Sequence, residues 1–223
     1  MSSVGARGVP STSGALKRLP VTGTVRDWEN RTKANQGKVE TAAIFNTKGE
    51  PLAAFQGNEH SVPFDAKLKD VEGATFTHYH PDKNFGGTLS LQDLKVFAGS
   101  KWNEIRAYAK TGQLYSLKAN NNVNREGLRK WVNSNQKMLQ KNFSNSYKSA
   151  LKNATTPLKS GPHKGQVKLN LPNGKVKYTE PMTKAQAAAY ARQYAVGMFE
   201  RAYKKNLAKF GVTYTSTKGG ITR

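Results

Sequence analysis

Residues 39–55 read VETAAIFNTKGEPLAAF, and the class of fold follows from this stretch. Val39–Phe45 is a short apolar strand carrying one carboxylate, Glu40. Asn46–Gly49 (NTKG) is a turn and Pro51–Phe55 returns as a second strand, so the pair reads as a hairpin. Downstream, Asp65–Val71 predicts a short helix, and Gly73 leads into a strand, Ala74–Thr77, that ends in His78-Tyr79-His80-Pro81. Ser90 offers an N-cap to a helix over Leu91–Ser100, where Leu91, Leu94, Val96 and Phe97 can bury one face. Glu104–Tyr108 and Gln113–Leu117, separated by Lys110-Thr111-Gly112, predict another hairpin. Strands and helices interleave on a small scale, so residues 37–118 are expected to form an α+β or α/β sheet domain.

The flanks read differently. Residues 1–36 begin with a Ser, Gly, Thr and Pro-rich run without apolar period and are expected to be a flexible N-terminal arm. In residues 119–223, Asn124 caps a helix reaching about Ala154, with Leu128, Trp131, Val132, Met138, Leu139, Phe143, Tyr147 and Leu151 on one stripe. A breaker region at 155–165 precedes a hairpin over 166–178, turned by Pro172-Asn173-Gly174. Thr183 caps a second long helix through Phe210, stopped by Gly211, and 212–217 (VTYTST) is a final strand. Tyr190, Tyr194, Val196, Phe199, Tyr203, Leu207 and Phe210 are read as core.

Charge is unevenly spread along the 223 residues, whose 36 basic and 14 acidic side chains give a net +22. Residues 1–115 hold 15 basic and 11 acidic side chains; residues 116–223 hold 21 basic and three acidic ones, Glu126, Glu180 and Glu200. A net +18 in the second half predicts contact with a polyanion, nucleic acid being the commonest. No apolar run is long enough to span a membrane, and the first twenty residues lack the apolar segment of a secretion signal. With no Cys, disulfides, thiolate metal sites and a cysteine nucleophile are excluded, and any metal must be held by His and carboxylate.

His78 and His80 meet that requirement. Alternate residues of a strand face one side, so both imidazoles can reach one ion. Ser90-x-x-Asp93 places the Asp93 carboxylate in the first turn of the next helix. Two neutral imidazoles and a carboxylate suit Zn²⁺ at about 2.0–2.2 Å with a fourth position for water, which would be acidified and attack a polarised carbonyl. A carboxylate that is not a ligand must then carry the proton to the leaving amine. Glu40, the single acid in an apolar strand, is placed for that task. His60 reads as a structural loop residue, and His163 is given no role.

An early Glu on a strand, then His-x-His, then Ser-x-x-Asp resembles the signature of the JAB/MPN (JAMM) zinc metallopeptidases. The likeness covers about residues 37–118 and is nearest to the RadC-like branch associated with phage head and tail morphogenesis. HSVPF, THYHP, LSLQDL and EIRAY are the segments that carry it. It implies a mixed sheet flanked by helices, with Glu40 as general acid/base and His78, His80 and Asp93 as zinc ligands. It also implies that the Ser90 hydroxyl steadies the oxyanion or orients the site. Nine residues separate His80 from Ser90, longer than the family's usual spacing; the extra length falls in DKNFGGT, where Gly86-Gly87 can loop out. The basic helical half is then an insertion into the domain or an appended module.

Two functions are expected from this. One is a zinc-dependent hydrolase of an amide or isopeptide bond, acting on a peptide or on other virion proteins, inside a virion or in the host cytoplasm. The other is a non-catalytic structural virion protein that keeps the JAB/MPN scaffold and binds DNA through its basic half. A zinc nuclease is a weaker third, because two-metal phosphodiester chemistry wants more carboxylates than lie near the motif.

Overall fold

The structure is a computed structural model and describes residues 16–35, 37–59, 61–81, 88–109 and 112–217. His60, the Gly86-Gly87 loop, the Lys110-Thr111 part of the turn and the first fifteen residues of the expected arm lie outside them. The elements in chain order are β1 (Lys17–Leu19), α1 (Val25–Asn35), β2 (Thr41–Phe45), β3 (Pro51–Gln56), β4 (Thr75–His80), α2 (Leu91–Ala98), β5 (Glu104–Ala109) and β6 (Leu114–Ala119). There follow α3 (Arg125–Thr155), β7 (Val167–Asn170), β8 (Val176–Thr179), α4 (Lys184–Leu207) and β9 (Val212–Thr217). The short helix expected at 65–71 is a 3₁₀ turn, Ala66–Asp70, capped by the Asp65 carboxylate.

Seven strands form a mixed sheet in the order β1-β3-β2-β4-β5-β6-β9, and helices flank it, which makes the protein α+β. The expected hairpins β2–β3 and β5–β6 pair antiparallel. β4 and β5 are the parallel pair, and a parallel pair requires a crossover, here α2. That crossover brings the start of α2 back to the end of β4 where the two histidines stand. Ser90 caps α2 reciprocally with Asp93, as the Ser-x-x-Asp spacing predicts.

Side-chain alternation divides the sheet into two covered faces. On one, Ala42, Ile44, Phe76, Ile105, Ala107, Tyr115 and Leu117 pack against Leu94 and Phe97 of α2, Leu128, Val132 and Leu139 of α3, and Tyr203 and Leu207 of α4. On the other, Ala43, Phe45 and Ala54 meet Trp28 of α1. Beside Trp28, the buried Glu29 carboxylate accepts from Arg106 Nε at 2.7 Å, from Arg106 Nη2 at 3.0 Å and from the Thr77 hydroxyl at 2.8 Å.

This second face corrects the reading of residues 1–36 as an arm. Residues 17–19 pair with β3 at the sheet edge and residues 25–35 form α1. Thr24 caps that helix, its amide and its hydroxyl each donating to Asp27 Oδ2 at 2.8 Å. The helix is polar nearly throughout and docks by one Trp and one buried ion pair, so apolar periodicity was a poor guide to it.

β9 pairs antiparallel with β6, Ala119 opposite Val212. The basic helical half is therefore an insertion between two neighbouring strands, with α3 and α4 contributing to the main core. The hairpin β7–β8 closes a small separate cluster of Val167, Leu169, Ala154 and Ala187. His163 stacks on Tyr178 at 3.7 Å. At the return into β9, Gly211 adopts φ 70°, and a Cβ there would sit 3.0 Å from the Asn122 carbonyl oxygen, so the turn requires glycine.

Candidate metal centre

Three elements build the site. β4 presents His78 and His80 on one face because strand side chains alternate. Phe76, on the same face, stacks on Trp102 at 4.6 Å and packs at 5.6 Å from the His78 ring, so the first imidazole rests on an aromatic floor. α2 delivers Asp93 from its first turn. The chain just ahead of β2 delivers Glu40, whose N–H donates to Asn58 O at 2.7 Å and whose carbonyl accepts from Gly57 N–H at 2.8 Å. Glu40 thus prolongs the β2–β3 pairing rather than lying within the strand, and falls on the Ala42–Ile44 face that holds both histidines.

His78 Nε2 lies 3.1 Å from Asp93 Oδ1, and His80 Nε2 lies 3.9 Å from Asp93 Oδ2. The two Nε2 atoms are 2.8 Å apart. One donor atom from each of the three residues falls within 4.8 Å of the others, so the group can hold a metal ion. A tetrahedral ion with bonds of about 2.0–2.1 Å separates its ligand atoms by about 3.3 Å, inside the range these contacts span. Two Nε2 atoms this close are joined either by the N–H of one imidazole donating to the lone pair of the other or by a metal ion that both ligate. The donor set fits a divalent cation.

Charge within the site is tightly coupled. Burial disfavours the His78 cation, but the Asp93 charge and hydrogen bond, the Glu40 charge and the Arg106 backbone outweigh it and hold the imidazole above its ordinary value. Burial likewise opposes the Asp93 anion, and His78, His80 and the Ser90 amide overcome it, holding that carboxyl well below the usual range. Burial dominates at Glu40, and with repulsion from Asp93 it exceeds the attraction of His78, pushing the carboxyl up to about 7. Two carboxylates in one site are driven apart by environment. Asp93 stays ionised as a ligand would, while Glu40 can hold or release a proton near neutrality.

Ser90 reaches the site through Asp93. Its amide donates to Asp93 Oδ2 at 2.6 Å, and its Oγ accepts from the Asp93 amide at 3.1 Å. That cap fixes the carboxylate, and it leaves the hydroxyl proton available for another acceptor.

The structure also brings up Tyr203 of α4, read from sequence only as core. Its ring is fully buried, its hydroxyl has no hydrogen-bond partner among the described residues, and burial with the nearby Asp93 charge pushes its ionisation far up. Beside it, Tyr214 of β9 donates to Glu200 Oε1 at 2.9 Å and meets the Thr88 hydroxyl at 3.1 Å, just ahead of the α2 cap. A helical period marks Tyr203 as core and cannot reveal that its hydroxyl is left without a partner among the described residues.

Against protein-family models, curated proteins and solved structures, the chain has no match. The site is therefore read from its own chemistry. Among the described residues, no helix is long and apolar enough to cross a membrane.

Proposed function

We propose that the protein is a zinc-dependent hydrolase of amide or isopeptide bonds, with His78, His80 and Asp93 as metal ligands and Glu40 as the proton carrier. The observation that supports this most is the convergence of two imidazoles and an ionised carboxylate beside a second carboxyl kept protonatable near neutral pH. Bound there, the ion would polarise a substrate carbonyl and acidify a water. The chain supplies the rest. Glu40 accepts the proton from the attacking water and returns it to the departing amine, which needs a group whose affinity for the proton lies near working pH. Ser90 keeps Asp93 in place and offers its hydroxyl proton to the developing oxyanion. The likeness of THYHP and LSLQDL to the phage-associated JAB/MPN branch supports a role in or carried by a virion, with a peptide or virion protein as substrate.

The test is hydrolysis of a pool of fluorogenic peptide amides and lysine-isopeptide conjugates by zinc-loaded protein. The reading predicts turnover by the wild type, loss of at least about 100-fold in Glu40→Gln with zinc content retained, and loss of both zinc and turnover in His80→Ala. Turnover equal in wild type and Glu40→Gln, or none in zinc-loaded wild type, would contradict it.

A further inference from the structure

Helix α3 carries Lys130, Lys137, Lys141, Lys148 and Lys152, all exposed. Alternating steps of seven and four residues, at 3.6 residues per turn, keep the five within an arc of about 60°. The buried residues Leu128, Val132, Leu139, Ala150 and Ala154 occupy the opposite side. The stripe thus faces away from the core, and the helix is held in place without it.

The surroundings of the stripe are unusual for a merely solvated face. Glu126 pairs with Lys130 at 2.7 Å at the first turn. From there to Glu180 the sequence contains no Asp or Glu, although it contains eleven Lys and Arg. Solvated helices commonly place Glu four residues from Lys, whereas Lys137 with Lys141 and Lys148 with Lys152 are like-charge pairs at that spacing and weaken the helix. Ser134, Ser144 and Asn145, exposed on the same side, add neutral hydrogen-bond donors.

We propose that this stripe is a docking face for the phosphate backbone of duplex DNA. From Lys130 to Lys152 it extends about 33 Å, close to one turn of a B-form duplex. Its charge complements a linear array of phosphates, and it binds without regard to sequence, since lysines reaching phosphates read no bases. A bilayer surface fits less well, because the apolar face that an amphipathic helix inserts into lipid is here packed in the core. A folded acidic partner would call for aromatic or Arg anchors, which the stripe lacks. The proposal does not depend on the metal centre.

The test uses the full chain with a chelator present, so that its outcome is separate from that of the hydrolase reading. Binding to a mixed-sequence duplex about three turns long is followed by fluorescence anisotropy between about 50 and 200 mM salt. Wild type is compared with Lys137→Gln/Lys141→Gln/Lys148→Gln and with a charge-matched control, Lys159→Gln/Lys184→Gln/Lys205→Gln. Gln keeps helix propensity, and circular dichroism checks the fold.

Loss of three phosphate contacts should make the salt slope of log K shallower by about 2.7, so that wild-type affinity falls about 40-fold more than the stripe variant's over that range. The control should keep the wild-type slope. An unchanged slope in the stripe variant, an equal change in the control, or no duplex binding by wild type would overturn the proposal. So would loss of binding to phosphatidylserine vesicles with duplex binding intact, an outcome that assigns the stripe to anionic lipid.

Discussion

Replacing Glu40 by Gln should stabilise the metal-free protein at alkaline pH while abolishing the proposed proton transfer. The Glu40 carboxyl has an ordinary value of 4.5 and is pushed up to about 7 by burial, with Asp93 repulsion adding and His78 attraction subtracting. Between those values the unfolded chain gives up its proton and the native chain keeps it. The native state therefore binds more protons, and stability falls as pH rises through the window. The penalty is absent below about 4.5, complete above about 7, and worth at most about 3 kcal/mol. Gln fills the same space without charge, so the variant should gain up to that amount at pH 8 and nothing at pH 4. For a chain of this size the difference corresponds to roughly 6–12 °C in Tm. Urea unfolding of both proteins in chelator, from about pH 4 to 8, gives the profile directly. Parallel profiles, or a variant less stable than wild type at pH 8, would refute the claim that this carboxyl is held against its ionised form. Such a trade of stability for chemistry is what a functional carboxyl at a sheet face should show.

Three further outcomes follow from the geometry. Glu29→Ala should cost about 1.5–3 kcal/mol by leaving the Arg106 guanidinium with Glu104 alone, whose Oε1 lies 3.3 Å from Nη1, whereas Glu29→Leu/Arg106→Leu should cost less; equilibrium denaturation checks both. Gly211→Ala should cost more than about 1 kcal/mol, because its φ of 70° and its contact with the Asn122 carbonyl oxygen exclude a Cβ, as thermal unfolding would show. Zinc at about 100 times its dissociation constant should stabilise wild type by about 2.7 kcal/mol in a thermal-shift series and leave His78→Ala unmoved.

The strands and their pairing were legible where apolar alternation and turn chemistry agreed. VETAAIF with NTKG and the Asn173-Gly174 turn each carry a hairpin in a few residues, and β2–β3 and β7–β8 form there. The Ser90 cap was legible for the same reason, since a capping box is a local contract between residues three apart. The approach of His78, His80 and Asp93 could be expected from strand alternation and helix register, because a single crossover joins them. The features missed are those held by long-range polar contact. α1 docks through Glu29 onto Arg106, 77 residues away, and nothing in VRDWENRTKAN signals that partner. Tyr203 stands near enough to Asp93 to feel its charge, on a helix inserted between β6 and β9. Glu40, by contrast, was singled out from the sequence, and the structure differs only in setting it one residue ahead of β2, on the face of the two histidines.

Metal content by mass spectrometry, after loading with Zn²⁺ and desalting, addresses the convergence of His78, His80 and Asp93 most directly. One zinc per chain in wild type and in Glu40→Gln, with none in folded His78→Ala/His80→Ala, is the predicted result. A folded wild-type protein that retains no zinc, or a double variant that retains as much as wild type, would contradict it.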